Sequence, residues 1–140
     1  MPFISATRVC YTAYRPTGLP TTRSLGGEMP SIVEDVKEVL GVNSRGYGFN
    51  TDICMHINTA ISTLRQLGAT DYREFIVDSG ITWEEVFKPE MALWLVRSYV
   101  YLRCRLLFDP PSNSFVQTAL EKQISELEWR IQVLVESESK

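Results

Sequence analysis

The chain has 140 residues, enough for one domain with a real core and too few for two comfortable ones. Its 44% hydrophobic and 22% charged residues fit a globular protein rather than a disordered one, and a formal net charge of −3 argues against a free-standing nucleic-acid binder. No apolar run reaches the length of a bilayer span, so no membrane partner is expected.

Residues 1–28 stand apart. They hold Arg8, Arg15 and Arg23 against the single acid Glu28, with Pro2, Pro16 and Pro20 and no sustained helical period. There is no continuous apolar stretch of the signal-peptide kind, and the prolines spoil an amphipathic transit peptide. The segment reads as an extended N-terminal arm, and Met29 as a possible alternative start. Helical signals follow over 29–135. The "SIVE" run (31–34) forms a capping box before Ile32, Val33, Val36 and Val39–Leu40, with Gly41 as the stop. After a loop, Asn50 is placed as the cap of a second helix, whose Ile53, Ile57, Ala60, Ile61, Leu64 and Leu67 fall at helical spacing up to Gly68. Residues 69–80 read as a loop, with "FIV" (75–77) a brief extended piece. "TWEE" (82–85) is a second capping box opening a short turn.

Pro89 suits the first position of a third long helix over 89–108. That helix is apolar around most of its circumference: Met91, Leu95, Tyr99, Leu102 and Leu106 form one stripe, widened by Val96, Val100 and Leu107. So wide an arc needs more than one neighbour to cover it. Glu90, Arg97, Tyr101 and Arg105 make its polar side. Arg103 projects into the apolar arc and leaves two readings open, a packed stem whose guanidinium reaches water or a pairing with a carboxylate on another element or subunit.

"LLFDPPSNSF" (106–115) then turns a hard corner. Pro110 and Pro111 disfavour helix at the residue before each, so the third helix stops near Asp109. "SFVQ" reads as a capping box of Ser114 with Gln117, opening a last helix over 115–135. A connection this short makes an antiparallel hairpin, with arms of about 30 Å each. Val116, Leu120, Ile124, Leu127, Ile131 and Leu134 form its inner seam. Phe115, Trp129 and Val133, around Lys122 and Glu126, lie on the other side, and two readings stay open: scattered surface apolar residues, or a contact with a second copy, to which Trp129 is well suited. An acidic tail, 136–140, closes the chain. The fold expected is all-α: a small bundle of about four helices with a long C-terminal hairpin.

No catalytic signature is present. Cys10, Cys54 and Cys104 lack the close spacing of metal ligands, His56 has no second ligand nearby, and nothing in the spacing of Asp52, His56 and Asp78 supports a site. No enzyme activity, catalytic residue, metal or cofactor is expected. A DNA-binding regulator would need a basic recognition helix, and Arg97, Arg103 and Arg105 sit on one too apolar to lie exposed in a groove.

With "DICMHINTAISTLRQLG" (52–68), "TWEEVF" (82–87) and "VRSYVYLRCRLLFDPPSNSFVQTALEKQISELEWRI" (96–131) in view, the chain resembles the head–tail connector family of tailed bacteriophages, also called adaptor or head-completion proteins. The resemblance covers about 29–135. It implies a structural virion protein of the neck between capsid and tail, made in the host cytoplasm and taking part in genome packaging. In that reading copies form a homo-oligomeric, dodecameric ring that docks on the portal protein and extends the DNA channel to a stopper or tail-completion protein. Genomic DNA would pass without sequence-specific binding, which a net acidic subunit suits. Phe115, Lys122, Glu126, Trp129, Val133, Arg97 and Arg105 are the candidate oligomer or portal interface, and Asp109, Pro110, Pro111 and Ser114 the structural corner. The alternative is a generic α-helical protein–protein interaction module.

Overall fold

A computed structural model describes residues 30–42, 49–77, 80–89 and 91–140. The arm expected at 1–28, most of the loop before the second helix, Asp78 and Glu90 lie outside the described residues. Among the described residues five helices follow in order: α1 (Ile32–Leu40), α2 (Asn50–Gln66), α3 (Trp83–Val86), α4 (Leu93–Phe108) and α5 (Ser114–Glu138). The fold is all-α, as the periodicities require.

Local chemistry sets most of the boundaries. The Ser31 hydroxyl accepts from the Glu34 N–H at 3.2 Å and starts α1. Gly41, at φ 71°, ends it, with the Gly41 and Val42 amides returning to the Glu38 and Lys37 carbonyls. α2 ends the same way: the Gly68 amide returns to the Arg65 carbonyl and the Ala69 amide to that of Leu64. Gly68 meets two demands at once. Its φ is 85°, and a Cβ there would lie 3.0 Å from the Val135 side chain of α5. The "TWEE" box forms around α3, where Glu85 Oε2 accepts from the Thr82 N–H at 2.7 Å.

Three starts differ from expectation. α2 begins at Asn50 itself, because Phe49 is already in helical conformation, with its ring edge-on to Phe108 at 5.7 Å. α4 begins at Leu93 rather than at Pro89. The Met91 N–H instead returns to the Lys88 C=O at 3.0 Å, Met91 is buried in the core, and Ala92 is extended. The cap of α5 is Asn113, not Ser114. Its backbone is extended and its side chain accepts from the Phe115 N–H at 2.9 Å, while the Gln117 amide points forward to Glu121. Asn113→Ala should therefore destabilise the chain by about 1 kcal/mol, read as a lowered urea midpoint, whereas Ser114→Ala should change it little.

The arms of the hairpin are consequently unequal, about 24 Å for α4 and about 37 Å for α5 at 1.5 Å per residue. α5 runs on through the first three residues of the acidic tail, helped by a Gln132–Glu136 hydrogen bond one turn apart. Between the arms, α4 ends at Phe108 and the chain turns through Asp109, Pro110 and Pro111.

The core is built around α4, which packs against α1, α2 and α5. Leu95, Val96, Tyr99, Val100 and Cys104 are its buried residues. Ile53, Ile57, Ala60, Ile61 and Leu64 face it from α2, and Ile124, Leu127 and Ile131 from α5. The wide apolar arc of α4 is thus divided among three neighbours. Residues 75–77 belong to no helix and pair with no strand among the described residues. Instead the Asn58 carboxamide holds Ile76 at both ends, accepting from its N–H and donating to its C=O, each at 2.8 Å.

Candidate functional site

The α4–α5 hairpin offers the most distinctive surface. Its inner seam fixes the orientation of α5. Ile124, Leu127 and Ile131 are buried, Leu120 and Leu134 half-buried, and only Val116, beside the corner, is largely exposed. A polar tie sets the register: the Tyr99 hydroxyl, on a fully buried ring, donates to Glu128 Oε1 at 2.8 Å. With the seam so engaged, helical geometry turns the opposite side of α5 to solvent. Phe115 is 79% exposed, Trp129 65% and Val133 44%, and Lys122 and Glu126 are exposed between them. The stripe is about 27 Å long at 1.5 Å per residue. The ion pair of Arg130 with Glu126, 2.5 Å and one turn apart, lies at its margin, where an exposed pair adds only tenths of a kcal/mol.

The arginines of α4 do not share a surface. Arg105 is exposed. Arg97 turns inward to Asp35 of α1, N to O 2.5 Å. Asp35 is buried, and its Oδ2 also accepts from the Trp83 indole N–H at 2.9 Å and the Tyr101 hydroxyl at 3.0 Å. The Arg97 guanidinium lies over the Trp83 ring, 5.7 Å from its centroid, and its Nε donates to the Tyr101 oxygen at 3.2 Å. Burial alone would lower the Arg97 pKa, but the Tyr101 hydrogen bond and the Asp35 charge outweigh it and raise it. This four-residue centre ties α1, α3 and α4 together, and the sequence reading missed it. One signal was available: Asp35 stands one turn after Ile32 and beside Val36, on the apolar side of α1. Arg103 is half-buried, with a buried Nε that has no hydrogen-bond partner.

Two buried groups link the hairpin to pH. Burial, reinforced by the Glu128 hydrogen bond, pushes the Tyr99 hydroxyl up to about 12 from 10. Burial likewise pushes the Cys104 thiol up to about 12 from 9. A pKa raised in the folded state means that the fold holds the proton more tightly, so the stabilisation is complete below the unfolded values and is lost as pH rises toward 12. Stability should accordingly fall between about pH 9 and 12, and Cys104→Ala should flatten the lower part of that fall in thermal melts.

Other sequence candidates stay apart. Asp52 is exposed and His56 half-buried on α2. Among the described residues no cluster of three or more His, Cys, Asp or Glu side chains could hold a metal ion, and no helix is long and apolar enough to cross a membrane. A groove of about 580 Å³ runs along the outer side of α2, between Met55, Thr59 and Arg65 on the helix and Arg73, Glu74 and Phe75 on the following segment. It has no convergent buried polar groups of the kind that fix a small ligand.

Comparison with curated proteins and with solved structures gave no significant match. A family model described as "Phage connector protein" matches residues 32–138, the whole span from the start of α1 to the end of α5. Membership implies a structural part in a phage particle and association with other phage head or tail proteins. An all-helical chain whose longest helix is covered on one side only, matched from its first described helix to its last, belongs to the phage connector family.

Proposed function

We propose that the chain is the subunit of a head–tail connector ring, an adaptor that docks on the portal at the neck of the virion and carries the DNA channel on to a stopper or tail-completion protein. The observation that carries this reading is the stripe of Phe115, Trp129 and Val133, exposed along the outside of a helix whose inner side is already packed. Large side chains left in water along about 27 Å of a rigid helix are suited to burial against another protein surface. The role is assembly rather than catalysis. DNA passes through the ring without being read, since the one exposed arginine among Arg97, Arg103 and Arg105 offers no groove-reading surface and the subunit's formal charge is −3.

The test is reconstitution with the cognate portal. Purified chain added to portal rings should co-sediment with them and appear in electron-microscopic images as an added ring coaxial with the channel. A chain that ignores its portal at micromolar concentration would remove this reading.

A further inference from the structure

The outer side of α5 is spaced alike from either end. Its exposed positions Phe115, Ala119, Lys122, Glu126, Trp129 and Val133 follow one another in steps of 4, 3, 4, 3 and 4 residues. That is the spacing of a helix lying along a partner helix. The series is symmetric about Ile124, which points the other way, into the core. A second copy laid against it in the opposite direction therefore meets it position for position. Phe115 faces Val133 of the second copy, apolar against apolar. Ala119 faces Trp129, a small side chain leaving room for a large one. Lys122 faces Glu126, opposite charges, and each of these contacts occurs twice.

Other alignments match less well. Sliding the second copy by one heptad in either direction sets Glu126 against Phe115 or Trp129. Laid parallel and in register, Lys122 would face Lys122 and Glu126 would face Glu126, which like charges resist. The even charge balance of this side thus favours a copy of itself over a strongly charged partner. Glu126 already holds Arg130 through Oε1, and a carboxylate can accept from further donors. We infer that two free copies pair antiparallel through the outer sides of α5, with the two-fold axis at the level of Ile124. This rests on the reading of the stripe as an interface, and it adds what covers the stripe before docking. A two-fold contact closes on itself, so it makes a dimer and not a ring. The pair shields Trp129 in the free protein and must open before the stripe can dock elsewhere. One helix pair about 27 Å long covers less than the roughly 1,200 Å² of a standard interface, so the dimer is weak and exchanges readily.

The test uses the full chain, two charge-reversal variants and their mixture, followed by sedimentation velocity in low salt up to millimolar concentration. The variants are Lys122→Glu and Glu126→Lys. Both positions are exposed, and far-UV circular dichroism checks that the helices persist. The unaltered chain should form a dimer that grows no further. Each variant alone turns two attractive contacts into two repulsive ones, and should associate at least about tenfold more weakly. Mixed one to one, an all-acidic stripe meets an all-basic one, and both opposite-charge contacts return. The mixture should therefore dimerise about as strongly as the unaltered chain. An unaltered chain that stays monomeric throughout would overturn the inference, as would variants that associate as it does or a mixture no stronger than its parts. A mixture markedly tighter than the unaltered chain would overturn it in favour of parallel pairing, where only the mixture sets opposite charges face to face. Portal co-sedimentation is measured separately. A chain that stays monomeric yet binds portal removes the dimer and leaves the adaptor reading standing, and a chain that dimerises yet ignores portal does the reverse.

Discussion

Asp35→Ala is expected to lower the unfolding free energy by about 3 kcal/mol or more. Removal of the carboxylate strands three donors at once. The Trp83 N–H is buried and would lose its acceptor, at about 1–3 kcal/mol. The Arg97 side chain is 39% exposed, so water recovers part of its loss, and the Tyr101 hydroxyl keeps Arg97 as a neighbour. Because these groups share one oxygen, their contributions are not additive. The double variant Asp35→Ala with Arg97→Ala should cost less than the sum of its parts. Asp35→Asn retains an acceptor of the same shape but no counter-charge, and should fall between the parent and alanine. Urea titration of the three variants measures this. A loss under about 1 kcal/mol for Asp35→Ala would mean that the centre is incidental to the fold.

Trp129→Ala is expected to act on assembly alone. Its ring is 65% exposed in the single chain, so stability should stay within about 0.5 kcal/mol of the parent. A tryptophan central to an interface typically contributes about 2 kcal/mol or more, which corresponds to roughly thirtyfold in association. The pattern to look for is therefore an unchanged melting curve beside a shifted assembly midpoint, in sedimentation or in ring yield on the portal. Equal assembly of variant and parent would discard the stripe as an interface. Arg105→Ala, an exposed position at the corner end of α4, offers a comparison outside the stripe.

What could be read from the sequence was chemistry confined to a few neighbouring residues. Gly41 and Gly68 stop their helices, Thr82 and Glu85 close their box, and two prolines end α4 because each acts within one or two turns. The two-sided character of α5 was legible too, since 25 uninterrupted helical residues preserve the phase of the pattern from one end to the other. Starts of helices were less legible where two adjacent residues could serve. Asn113 and Ser114 both suit a cap, and the one already extended after Pro111 takes the role. Pro89 fits a helical first turn, yet Met91 bonds back to Lys88 and Ala92 is extended, so the helix waits until Leu93. The Asp35 centre was illegible for a different reason. Its partners lie 48, 62 and 66 residues away, and nothing local to "RSY" shows that Arg97 faces α1 rather than solvent. The Asn58 grip on Ile76, 18 residues on, escaped for the same reason: a carboxamide at a half-buried helical position looks ordinary until the segment opposite is placed.

The central position of α4 has a consequence for how the subunit breathes. The middle of α4, with Leu95, Val96, Tyr99 and Val100 buried, is packed by α1, α2 and α5, so its middle amides should meet solvent deuterium only when the whole bundle opens. The turns of α5 beyond Ile131, resting on fewer neighbours, should exchange orders of magnitude sooner. The subunit would then reach its partners as a stiff block whose late-exchanging centre outlasts its edges, and docking would slow exchange at the edges alone.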